Sequence, residues 1–81
     1  MQAPIVNLNG TSKSELLDQH LAAANALRDA ALALGHGPNG RDYQTQPGAY
    51  KIAADEHLDR LKRIDAVLCE ILDIAEQIDA Q

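Results

Sequence analysis

The sequence predicts an all-α protein: an antiparallel two-helix hairpin with a short extended N-terminal arm, assembling as a helical-bundle oligomer. Three observations carry that prediction. Two segments repeat apolar residues at alternating steps of three and four, the spacing of a helical seam. Between them lies a polar insert, residues 36–48, which holds three of the five glycines and two of the three prolines. Ser12 and Glu15 form an S-x-x-E box, in which each side chain satisfies a backbone donor at the other residue, so the first helix has a defined start.

Residues 1–11 read as the arm. Val6 and Leu8 flank Asn7 in a short alternation, and Asn9-Gly10 is a strong turn dipeptide. Helix one spans 12–35, with a seam of Leu17, His20, Ala24, Leu27, Ala31 and Leu34. Gly35 and Gly37 supply left-handed positions that end a helix, and Pro38 stops its continuation. Residues 36–48 form the loop, longer than the two to eight residues typical of bundle connections. Helix two spans 49–79, with a seam of Tyr50, Ala54, His57, Leu61, Ile64, Leu68, Ile71, Ala75 and Ile78. Leu58, Val67, Leu72 and Ile74 widen its apolar face beyond what one partner helix requires. Glu56–Arg60 and Asp59–Arg63 have the i, i+4 spacing of helix-surface ion pairs. If Leu34 lies level with Tyr50, helix two outruns helix one by roughly two turns. Ile71, Ile74 and Ile78 are then uncovered, and a second chain is expected to pack there.

Composition narrows the function. Eighty-one residues make one domain, and with no Phe or Trp the core comes from Leu, Ile, Val and Ala. A chain of this size buries only about 60% of its unfolded surface, which again favours a homo-oligomer. A net charge of −5 argues against duplex nucleic acid, whose binding rests on Lys and Arg neutralising phosphates. Between His36 and Lys51 the balance is different: Arg41 and Lys51 against Asp42 give +1, enough to hold a small anion. No apolar run reaches the ~20 residues of a membrane helix, and no basic region followed by an apolar stretch marks a signal peptide. A lone Cys69 fits a reducing cytoplasm. Asn9-Gly10-Thr11 matches a glycosylation acceptor that stays idle there.

Candidate chemistry concentrates in the loop. Asn39-Gly40 can present backbone N–H groups to an anion. Arg41 can grip a phosphate with two donors, and Asp42 can accept from a ribose hydroxyl. Tyr43 and Tyr50 can stack on a base, and Lys51 adds a second cation. The same residues also suit a clamp in which Arg41, Asp42 and a tyrosine fasten the loop to the helix ends. No Walker or Rossmann glycine spacing decides between the two. His20 and His57 fall on the seams about seven residues out of level, or ~10 Å, too far for one metal within a chain. Both suit hydrogen-bonded core positions, and His57, two turns from Tyr50, is the better placed to line a pocket under the loop. The cluster Arg60, Lys62 and Arg63 reads as a solvated helix face. The carboxylates lack the spacing of a general acid and base, and Cys69 has no activating neighbour. No enzyme, cofactor or metal is expected.

Two stretches carry a resemblance. Val6-Asn7-Leu8-Asn9-Gly10-Thr11-Ser12 leads into a Leu-rich helix. Asn39-Gly40-Arg41-Asp42-Tyr43 precedes a Pro-Gly-Ala-Tyr turn and then Ala53-Ala54-Asp55-Glu56-His57. Together they resemble a group of very small bacteriophage and prophage proteins with an LNGTS start, an Arg-Asp-Tyr loop and an Ala-rich second helix. That pattern has a second aromatic after the tyrosine, where this chain has Gln44. The resemblance implies a phage setting and a host bacterial cytoplasmic location, and brings no assigned activity. Some small oligomeric phage proteins block bacterial immunity as sponges that hold a nucleotide-derived second messenger between helices. By that analogy the leading expectation is sequestration, without catalysis, of a cyclic-nucleotide or cyclic ADP-ribose type messenger. Asn9, Gly10 and Thr11 would join the site from a neighbouring subunit. The alternative is an adaptor or inhibitor that binds a host or phage protein through the apolar face of helix two.

Overall fold

A computed structural model of the chain describes residues 2–81 as an arm, two helices and the loop that joins them. Helix α1 spans Lys13–Leu34 and helix α2 spans Ala49–Asp79; a short 3₁₀ turn, Gly40–Tyr43, lies in the loop. The helices pack side by side as a hairpin, with no strand among the described residues. Ser12 caps α1: its hydroxyl accepts from the Glu15 N–H at 3.1 Å, satisfying one of the orphan donors of the first turn. Gly35, at φ +70°, ends α1 as its N–H turns back to the Leu32 carbonyl.

The seam positions follow the 3-4 spacing. On α1, Leu17, His20, Ala24, Leu27 and Ala31 face α2. On α2, Ala54, His57, Leu61, Ile64, Leu68, Ile71, Ala75 and Ile78 face α1, and all of these are buried or partly buried. Leu34 and Tyr50 depart from the pattern and are exposed, because the chain leaves the interface at the helix ends next to the loop. The core is thin: among the described residues only Ala24, Ala75, Ile78 and His57 are withdrawn from solvent. Alanine explains this, since α1 carries seven of them and each lets the helices approach while contributing little apolar area.

The register of the hairpin differs from the expected one by a heptad. His57 lines a cavity with Leu34 and lies against Gly37, not Leu27. Leu27 borders a groove with Ile64, and Leu17 borders another with Ala75. The reason is the loop. Residues 36–48 do not turn the chain sharply but run back along the first two turns of α2, so α1 meets α2 later in sequence. His20 therefore lies near the level of Ile71, about 14 residues or ~21 Å from His57 along the axis, and the two histidines are further from sharing a metal than the sequence suggested.

The same shift moves the overhang from the C-terminal end of α2 to its N-terminal end. Ile78, expected to be uncovered, is fully buried. The arm closes over that end of the hairpin. Gln81 accepts from the Val6 N–H at 2.8 Å and donates to the Pro4 carbonyl at 2.8 Å, pairing its amide with extended backbone. Lys13 Nζ donates to the Asp79 carbonyl at 2.9 Å, satisfying an orphan acceptor of the last turn. Among the described residues, no helix is long and apolar enough to cross a membrane.

Candidate functional site

The loop is a chain of turns rather than slack. Asn39 opens it: its side-chain oxygen accepts from the Arg41 N–H at 2.9 Å and its carbonyl from the Asp42 N–H at 3.0 Å. The Gln46 N–H then reaches the Tyr43 carbonyl, and the Ala49 N–H the Gln46 carbonyl. Gly48, at φ +79°, turns directly into α2. Asn39 is thus occupied in holding the 3₁₀ turn. Tyr43, at the end of that turn, packs on Tyr50 from the first turn of α2, with ring centroids 6.4 Å apart and planes tilted by 53°. That is an ordinary aromatic pair geometry, and it fixes the loop above the helix.

Beneath this loop is an open cavity of about 270 Å³. Ala53, Glu56, His57 and Arg60 form its floor, at the i, i+3, i+4, i+7 spacing that puts four side chains on one face of α2. Gly37 and Pro38 make one wall, Tyr43 another, and Leu34 closes the α1 side. Gly37 holds φ +112°, and a Cβ there would stand 3.2 Å from the His57 ring. A glycine lets the backbone lie directly on the imidazole.

His57 is the unusual member. The residue is 8% exposed, and its Nε2 is buried without a hydrogen-bond partner. Such a group costs roughly 1–3 kcal/mol of desolvation, and an unpaired buried polar atom in a native fold asks for a reason. His20 shows the contrast. Its Nδ1 lies 2.7 Å from the Leu16 carbonyl one turn back, a satisfied histidine on a half-buried seam.

The structure sorts the residues expected to form the site. Tyr43 and His57 line the cavity, Tyr50 supports Tyr43, and Asn39 and Gly40 build the turn above it. Arg41 and Asp42 are exposed on that turn and make no ion pair among the described residues, so the expected Arg–Asp clamp is not formed. Lys51 is exposed and pairs with Asp55 at 3.0 Å. Asn9, Gly10 and Thr11 lie with the arm, tied to the far end of α2. Since α2 alone is about 46 Å long, they do not reach the cavity of their own chain.

Glu56 and Arg60 are the cavity residues that sequence reasoning assigned elsewhere. Asp59 and Arg63 form their expected ion pair at 3.0 Å, but Glu56 and Arg60 do not pair among the described residues; both stay exposed, bordering the cavity on one side and a surface groove with Asp55, Asp59 and Arg63 on the other. The signal lies in their spacing from His57, one before and three after, which shares a helix face. Reading it requires knowing that the loop covers that face. Among the described residues, no group of His, Cys, Asp and Glu could hold a metal ion. Compared with models of known protein families, with curated proteins and with solved structures, the chain matches none.

Proposed function

We propose that this protein is a non-enzymatic binding module of the phage anti-defence kind. It sequesters a nucleotide-derived second messenger, of the cyclic-nucleotide or cyclic ADP-ribose class, in the cavity between loop and α2. The proposed setting is the host bacterial cytoplasm, and the working form is a homo-oligomer. The observation that carries the reading is the unpartnered Nε2 of His57 beside Arg60, Glu56 and Tyr43. In this reading Arg60 takes the phosphate, His57 Nε2, withdrawn from solvent beside Gly37, gains its hydrogen bond to it when Gly37 shifts aside, Glu56 accepts from a ribose hydroxyl or a base amine, and Tyr43 stacks. Glu56 and Arg60 thereby take the parts that sequence reasoning gave to Asp42 and Arg41.

Size is consistent with one nucleotide unit held at a time. The cavity, at about 270 Å³, falls just below the roughly 300–1,000 Å³ of ordinary ligand pockets, so the rest of a cyclic dinucleotide would lie outside it. Native mass spectrometry of the protein with a panel of cyclic nucleotides and cyclic ADP-ribose isomers tests the reading. The expected result is an adduct of intact messenger mass, lost on Arg60→Ala and on His57→Leu. His57→Leu should leave thermal stability unchanged or raised, because replacing an unsatisfied buried polar group with an apolar one of similar size removes a desolvation cost. An unliganded spectrum across the panel, or unchanged binding in Arg60→Ala, overturns it.

A second reading rests on the apolar face of α2 and its groove with α1 at Leu17, Leu21 and Leu72, which suits a host or phage protein. Under it, Leu72→Glu or Ile74→Glu abolishes capture of a partner while cavity variants stay active.

A further inference from the structure

The hairpin exposes more surface than its mass warrants. Its accessible area is 6089 Å², against about 4,700 Å² for a compact monomer of its 8.7 kDa mass. The difference, roughly 1,400 Å², exceeds the ≈ 800 Å² that each partner contributes to a standard interface. Part of the exposed apolar surface lies on one broad face. Leu21 and Leu32 of α1 are 47% and 78% exposed, and Leu58 of α2 is 56% exposed. Leu21 and Leu32 border the two apolar grooves that run between the helices, the larger of about 470 Å³, and Leu58 stands one heptad before Asp65 of that larger groove.

Four charges line these grooves: Arg28 and Asp65 on the larger, Glu76 and Asp79 on the smaller, and the first two are opposite in sign and stand on different helices. On α1, Leu21 and Arg28 are a heptad apart with Leu32 one turn on; on α2, Leu58, Asp65 and Leu72 are successive heptad positions. Arg28 and Asp65 both line the larger groove, one on each helix. The register sets them at one height, since Leu27 lies level with Ile64. Within the chain they do not pair: Arg28 donates to Asn25 at 3.1 Å, and neither residue belongs to an ion pair among the described residues.

We infer that a second copy of this chain packs on the Leu21–Leu32–Leu58 face, related by a two-fold axis parallel to the rod, so that Arg28 of each copy meets Asp65 of the other. That axis lays α1 of one copy over α2 of the other and preserves heights, giving a four-helix bundle with both loops at one end. A two-fold axis across the rod instead stacks α1 on α1 and separates the opposite charges or sets like beside like. Self-complementarity of one patch is what an isologous interface requires, and a matched polar pair within an apolar seam fixes register. The inference specifies the self-association of the proposed function but does not depend on its ligand. Arg60 and Asp65 lie five residues apart on α2, or about 140° around the helix. The cavity therefore stays open on the outer side of each hairpin.

Sedimentation equilibrium of the full chain across a concentration series tests this. Wild type should reach twice the monomer mass, and Leu32→Asp should be monomeric with its helical circular dichroism kept. Arg28→Asp should weaken the dimer about tenfold or more, and the double variant Arg28→Asp with Asp65→Arg should restore it. A monomeric wild type overturns the inference, as does dimerisation indifferent to Arg28→Asp. Weakening by Arg28→Asp and by Asp65→Arg alone, without rescue in the double variant, overturns the parallel arrangement. Messenger binding measured on the same samples is scored separately through Arg60→Ala, so failure of either idea is distinguishable from failure of the other.

Discussion

His57 sits where backbone, loop and helix all converge, and the neighbour that permits this is Gly37. The glycine adopts a left-handed φ of +112° and leaves 3.2 Å between the imidazole and where a Cβ would be. Gly37→Ala therefore carries two penalties, a backbone strain of roughly 1–2 kcal/mol and displacement of the ring. A lowered midpoint in chemical denaturation, together with a shifted His57 imidazole resonance, is the expected outcome. Gly40→Ala is the natural control. Its added Cβ would meet Tyr50 at 3.9 Å, an ordinary contact at a backbone angle that does not demand glycine, so it should leave stability and the His57 resonance unchanged. The sequence marks Gly37 as a helix terminator but offers no reason to link it with His57, twenty residues on. That link is a distance across the fold, invisible to local pattern.

Among the elements, the ends of the two helices are held by different means. Ser12 caps α1 with its own hydroxyl, so Ser12→Ala should cost about 1 kcal/mol, within the usual 0.5–2 for such caps, seen as a drop in melting temperature. Gly48 makes no side-chain cap for α2, whose start depends on the turns behind it. The exposed pairs Lys51–Asp55 and Asp59–Arg63 contribute little, at most about 0.5 kcal/mol each. The Ser12 cap, the glycine stops and the Asp59–Arg63 pair at i, i+4 spacing are local relations that the sequence alone makes legible, whereas the reciprocal Glu15 half of the capping box and the Glu56–Arg60 pair are not formed among the described residues. Lys51–Asp55 shares that spacing and is equally readable. The pairing of Gln81 with Pro4 and Val6 is not, because it joins residues separated by 77 and 75 positions.

At the scale of the molecule the protein is a rod of 61 × 19 × 17 Å with a radius of gyration of 18.1 Å, against roughly 12 Å for a compact chain of this length. A rod has a line of contact instead of a core, so few residues carry much of its cohesion. Ile78 is the one large side chain among the described residues that is fully buried. Ile78→Ala should cost about 2–5 kcal/mol, a large share of the stability of so small a domain. Ile52→Ala, on an exposed position of α2, should shift the denaturation midpoint hardly at all. Equal effects at the two positions would mean that the end of the hairpin around Ile78 is not sealed from solvent.

By itself the sequence determined that the chain is all-helical and which residues share the seam away from the loop, where Leu34 and Tyr50 leave it, because heptad spacing, caps and turn glycines act within a few residues of one another. It also pointed to the loop as the place where polar chemistry gathers. Only the tertiary structure decided the register, and with it nearly everything about the site. One heptad of sliding preserves every a/d contact pattern, so periodicity cannot choose between registers. The length of chain that the loop lays along α2 makes that choice. The slide buried Ile78, carried His57 beneath Gly37, brought the loop beside the still-exposed Glu56 and Arg60, and set Arg28 level with Asp65.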